Sequence, residues 1–120
     1  MRVLIVDDDS VSAELTAECL MMEPGVIGEI ACDGASALRI IETFAPDVIL
    51  LDVSLPDTSG LDLAPQLKIA NPERPPRIII FTGSVWDAAG TLLPVGVDGW
   101  LSKPAHLDDL LACVFRPIRT

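Results

Sequence analysis

Three aspartates stand side by side at positions 7, 8 and 9, directly behind the apolar run Val3-Leu4-Ile5-Val6. Ionised carboxylates repel one another and are costly to take out of water. Such a cluster is either a solvated loop or a seat for something positive. Other reactive side chains close other apolar runs in the same way: Asp52 after DVILL, Thr82 after RIIIF and Lys103 after GWLS. Carboxylates, a hydroxyl and an ammonium suit one chemistry in particular. A carboxylate can attack phosphorus to give an acyl phosphate. Anion then meets anion, so a divalent cation and a fixed positive side chain are needed to offset the charge. Mg²⁺ takes octahedral oxygen ligands, usually one or two carboxylates with waters and phosphate oxygens.

These residues converge only if the elements behind them are ordered suitably. VLIV (3–6), DVILLD (47–52) and RIIIF (77–81) are short, continuous and rich in branched residues, the pattern of strands covered on both faces in a parallel sheet. VIGEIA (26–31) and part of GVDGWLSKP (96–104) supply two more strands. Helical stretches alternate with them. Ser10 is read as the cap of a helix reaching about Met22, with Val11, Leu15, Cys19 and Met22 on its packed face. Gly34 to Phe44 carries Ala37, Leu38, Ile41 and Phe44 at helical spacing, and Pro46 stops it. Gly60 to Ala70 carries Leu61, Leu63, Ala64 and Leu67, with Pro65 implying a late start or a kink. A weaker helix runs from Ser84 to about Leu93, with Gly90 inside and Pro94 after it. The last spans Pro104 to about Phe115. Alternating strands and helices predict a doubly wound parallel sheet with helices on both faces. Ligands then bind at the carboxyl ends of the strands, where Asp7, Asp8, Asp52, Thr82 and Lys103 all lie.

The 120 residues are 50% apolar, enough for one domain with a hydrophobic core. Eighteen acidic against eight basic residues give a net charge of −10, which argues against nucleic acid or an anionic membrane as a direct partner. No apolar run approaches the about 18 residues of a membrane span, and the four apolar residues near the start run into acids, unlike a signal peptide. Cys19, Cys32 and Cys113 are dispersed and read as small packing residues in a reducing, cytoplasmic setting.

Taken together and in order, VLIVDDDS, DVILLDVSLPDTSG, IIIFTGS and GVDGWLSKP resemble the receiver domains of two-component response regulators, over essentially the whole chain. The resemblance implies a CheY-like, flavodoxin-like (βα)5 fold in three layers with strand order 2-1-3-4-5, and one receiver domain over residues 1–120. It implies that Asp52 accepts a phosphoryl group from a histidine kinase or histidine phosphotransfer protein. Mg²⁺ (or Mn²⁺) would be held by Asp8 and Asp52, by Asp7 through water, and by the backbone carbonyl of Ser54. Lys103 would supply the fixed charge, with a cis peptide bond to Pro104. Thr82 would bond a phosphoryl oxygen, with Gly83 leaving the pocket open. Thr82 and Trp100 would form the switch, Trp100 standing where Tyr or Phe is commoner. Ser54 and Ser84 occupy positions that tune hydrolysis. The face made by the fourth helix, the fifth strand and the last helix would carry dimerisation or an output domain, with Trp86, Leu92, Leu93 and Trp100 as a candidate patch. The protein is thus expected to be a phosphorylation-controlled switch, not an enzyme beyond its own phosphoryl transfer and slow autodephosphorylation.

Two other functions compete. A phosphohydrolase of the haloacid dehalogenase type would carry a second acid two residues past its nucleophile, where this chain has Ser54. A receiver-like interaction module that does not switch has no need of Asp8, Asp52, Thr82 and Lys103 together. A nucleotide-binding flavodoxin-like module would show a Gly-rich phosphate loop after the first strand, and none is present. Asp9 is read as favouring a helix N-terminus, Asp57 as a solvated loop residue with a bearing on metal access, and His106 as a surface residue.

Overall fold

In the computed structural model, which describes residues 1–83 and 94–115, the strands are β1 (Arg2–Val6), β2 (Ile27–Ala31), β3 (Val48–Leu51), β4 (Arg77–Thr82) and β5 (Gly99–Ser102). The helices are α1 (Ser10–Met21), α2 (Gly34–Phe44), α3 (Gly60–Ile69) and α4 (Leu107–Val114). The five strands form one parallel sheet in the order β2-β1-β3-β4-β5, as the resemblance implied. The helix expected over 84–93, with Ser84, Trp86, Gly90, Leu92 and Leu93, lies outside the described residues.

Strand alternation sends successive side chains to opposite faces, and here both faces are dry. Leu4, Val6, Ile49, Leu51, Ile78 and Ile80 pack under Ala37 and Ile41 of α2 and Leu63, Ala64 and Leu67 of α3. Val3, Ile5, Val48, Leu50, Ile79 and Phe81 pack under Ala13, Ala17 and Leu20 of α1 and Leu110 and Val114 of α4. That double coverage explains why β1, β3 and β4 read as unbroken apolar runs. β2 stands at the edge, where Ile27 and Glu29 are exposed, and its pattern is correspondingly weaker.

Helix ends follow local chemistry. Asp33 caps α2 by accepting from Ser36 N–H at 2.7 Å, and the helix closes at Ala45, whose φ of 50° is left-handed, before Pro46. α3 begins at Gly60 under a Ser59 cap and keeps Pro65 inside it, so of the late start or kink expected there the late start is absent. The Arg77 guanidinium bonds the carbonyls of Cys113 and Val114 and so closes the C-terminus of α4.

Three expectations are corrected. α1 is capped by Asp9, not Ser10: its carboxylate accepts from the amides of Val11 and Ser12 at 3.2 and 3.3 Å. The packed face of α1 is Ala13, Thr16, Ala17 and Leu20, whereas Val11, Leu15 and Met22 are 65%, 57% and 76% exposed and Cys19 is half-buried. Small alanines let the helix lie close to the sheet, and the larger apolar side chains are left outside. Leu15→Gln is therefore expected to change the unfolding free energy by no more than about 0.5 kcal/mol, against about 2–5 kcal/mol for Leu20→Ala, as measured by urea denaturation. Finally, Cys32 is exposed and is not a packing residue.

Candidate functional site

The sheet places the reactive residues by extending its own hydrogen bonding one residue past the strand ends. Asp7 N–H donates to Ala31 C=O at 3.0 Å, Asp52 N–H to Val6 C=O at 2.9 Å and Lys103 N–H to Thr82 C=O at 2.8 Å. Each backbone is thus fixed where its side chain leaves the core.

The side chains converge. Thr82 Oγ1 donates to Asp52 Oδ1 at 2.7 Å. Lys103 Nζ lies 2.5 Å from Asp7 Oδ2 and 3.4 Å from Asp52 Oδ2. Carboxylate oxygens of Asp7, Asp8 and Asp52 lie within 4.8 Å of one another. Asp7 is only 4% exposed, and its other oxygen accepts from Asp9 N–H at 2.9 Å. Asp8 is exposed, so the carboxylates open to solvent on its side. Three carboxylates against one ammonium leave two formal negative charges, and a divalent oxygen-seeking cation fits that donor set. Burial pulls the Lys103 pKa down, but the hydrogen bond to Asp7 and the charges of Asp7 and Asp52 outweigh it and hold it above the ordinary lysine value of 10.5.

Of the other residues singled out in the sequence, Ser54 is exposed and its N–H reaches Asp52 Oδ1 at 3.4 Å. The Lys103–Pro104 peptide is cis. Trp100 is half-buried against the α2–α3 side of the sheet. A Cβ on Gly83 would meet nothing within 4 Å among the described residues. His106 is exposed at the N-terminus of α4 and makes no side-chain cap bond.

Phe81 and the close approach of Gly60 were missed, and Asp57 was read only as a solvated loop residue. Phe81 lies under the site, with Lys103 Nζ 5.2 Å from its ring centroid, a cation–π distance. Its place in β4, one strand from Lys103, was the available signal. Gly60 abuts Asp52: a Cβ there would stand 2.1 Å from the carbonyl oxygen of Asp52. Asp57 is exposed, as expected, but it also has partners: its two oxygens accept from Gly34 N–H at 2.9 Å and Ala35 N–H at 3.0 Å. Nothing local in PDTSG announces a partner 22–23 residues earlier.

Known proteins resemble the chain in sequence and in fold. The response regulator receiver domain family matches residues 3–115. The chain is 37% identical over 111 residues to the probable transcriptional regulatory protein TcrX of Mycobacterium tuberculosis, covering 92% of this chain and 47% of TcrX. It therefore spans about half the length of that relative. A CheY-like receiver domain protein from Methanospirillum hungatei superposes with a TM-score of 0.81 at 32% identity, over 95% of this chain and 90% of that one. TrrA of Thermotoga maritima, a response regulator solved in complex with Mg(2+)-BeF, superposes with a TM-score of 0.81 at 27% identity, over 96% of each. By sequence across nearly its whole length and by fold alike, the chain belongs to the response regulator receiver domain family of two-component systems.

Proposed function

We propose that this receiver domain, taken as one unit over residues 1–120, is a phosphorylation-controlled switch whose acceptor is Asp52. The observation that carries the reading is the Asp52 carboxylate held between the Thr82 hydroxyl and the Lys103 ammonium, beside Asp7 and Asp8. An Asp52 oxygen attacks the phosphorus of a phosphohistidine on a kinase or phosphotransfer protein. The O–P bond forms as the P–N bond breaks, and the imidazole leaves with the electron pair. Lys103 offsets charge on the incoming phosphoryl oxygens, and Thr82 exchanges its bond to Asp52 for one to the phosphoryl group. Asp8, Asp52, Asp7 and the Ser54 carbonyl would hold Mg²⁺ or Mn²⁺, which would supply neutralisation of the meeting anions. Movement of Thr82 lets Trp100 rotate inward, and the face containing β5 and α4 then binds an output domain or a second copy. Turnover is limited to the protein's own dephosphorylation, and the kinase is met in the cytoplasm. Among the described residues no helix is long and apolar enough to cross a membrane, which accords with that setting.

The metal requirement is testable without any phosphoryl donor. Each tenfold excess of Mg²⁺ over its dissociation constant adds about 1.4 kcal/mol of stability, or roughly 3–6 °C in a domain of this size. Thermal melts should rise with Mg²⁺ in the wild type and barely move in Asp8→Asn, whose metal-free melt should lie at or above that of wild type because one of three repelling carboxylates is neutralised. Equal Mg²⁺ shifts in both proteins contradict the assignment. Steady hydrolysis of small phosphate esters would instead favour the phosphohydrolase reading.

A further inference from the structure

The geometry points to Asp57 as a clamp that ties the loop after Asp52 to α2, so that charge arriving at the acceptor is felt at the start of that helix. The inference rests on the reading of Asp52 as phosphoacceptor. The loop of residues 53–59 is closed at its base. Ser54 and Ser59 form an antiparallel bridge, and Gly60 N–H donates to Val53 C=O at 2.7 Å. Gly60 packs so closely on the Asp52 carbonyl that no side chain fits between them. A loop cinched in this way has little slack, and displacement at Val53–Ser54 must pass to its tip.

The tip is plugged into α2. Asp57 holds the amides of Gly34 and Ala35, one oxygen each. A Cβ on Gly34 would lie 2.7 Å from Thr58 Cγ2, so any side chain there would force Thr58 to shift. The next amide, Ser36, is held by Asp33 from within the helix. Three successive N–H groups are therefore divided between a local carboxylate and one borrowed from the acceptor loop. A helix N-terminus favours both, but only the borrowed one moves with the loop.

Amide hydrogen exchange by NMR on the full chain tests this, with Mg²⁺ and beryllofluoride as the phosphoryl mimic. Without ligand, Asp57→Ala should exchange Gly34 and Ala35 at least tenfold faster than wild type and leave Ser36 unchanged, with Asp57→Asn intermediate. On loading, wild type should change protection at both 53–59 and Gly34–Ala35. Asp57→Ala should change only at 53–59. An equal response at Gly34–Ala35 in Asp57→Ala overturns the clamp, as does a wild type that responds at 53–59 but not in α2. No response anywhere in wild type overturns the clamp together with the acceptor reading, and so separates the two failures.

Discussion

Lys103→Ala is expected to lower the stability of the metal-free protein by about 3–5 kcal/mol, the range for breaking a buried ion pair. Lys103 faces an Asp7 side chain that is only 6% exposed and an Asp52 side chain 13% exposed. Without the ammonium, Asp7 keeps one backbone donor, Asp9 N–H, for a charge buried beside two like charges. Mg²⁺ should recover much of the loss, since a cation can take over the compensation, and Mg²⁺ binding itself should survive. Phosphorylation should then produce a weakened conformational response. Denaturant melts with and without Mg²⁺ read the first effect, and Trp fluorescence on beryllofluoride loading reads the second. The pH dependence has a definite sign. Folded Lys103 holds its proton more tightly than the unfolded side chain, so its contribution is fully present below the ordinary lysine value of 10.5. It is lost as pH rises through the higher folded value, and the gap between wild type and Lys103→Ala should narrow as pH rises through that alkaline range.

Gly60→Ala is the second large effect. The added methyl would stand 2.1 Å from the Asp52 carbonyl oxygen, 2.9 Å from its carbonyl carbon and 3.0 Å from Val53 Cα. All three are backbone atoms at the end of β3, so no rotamer change relieves the clash. Overpacking ordinarily costs about 1–3 kcal/mol, and contact with fixed backbone puts this case at or above the top of that range. Because relief requires moving Asp52, phosphoryl uptake should fall even where the variant remains folded. Gly99→Ala is the control. Among the described residues its methyl would meet only Ile79 side-chain atoms, at 3.6 and 4.0 Å, and a change below about 1 kcal/mol is expected. If Gly60→Ala is as stable and as readily phosphorylated as Gly99→Ala, the packing of α3 against the acceptor has no functional weight.

The strands and the acceptor cluster were legible in the sequence for one reason. Strands buried on both faces leave unbroken branched runs, and the first polar residue after each run marks a carboxyl edge. Asp7, Asp52 and Thr82 were found by that rule, and Lys103 by its place just past the short fifth run, behind Ser102. α1 was misread because its bulkier apolar residues, Val11, Leu15 and Met22, outweigh Ala13 and Ala17 in any reading of hydrophobic periodicity. Close approach to a sheet nevertheless selects the small side chains. The partners of Asp57 and the place of Phe81 were missed because both depend on distant parts of the chain. Neither a helix start borrowed from another loop nor an aromatic ring under a lysine leaves a local pattern.

The most direct measurement is intact-mass analysis after incubation with acetyl phosphate, with and without Mg²⁺, on wild type and Asp52→Asn. One phosphoryl adduct on wild type, requiring Mg²⁺ and absent from Asp52→Asn, is the predicted result. An adduct of equal yield on Asp52→Asn, or one indifferent to Mg²⁺, would contradict the assignment of Asp52 as the metal-assisted acceptor.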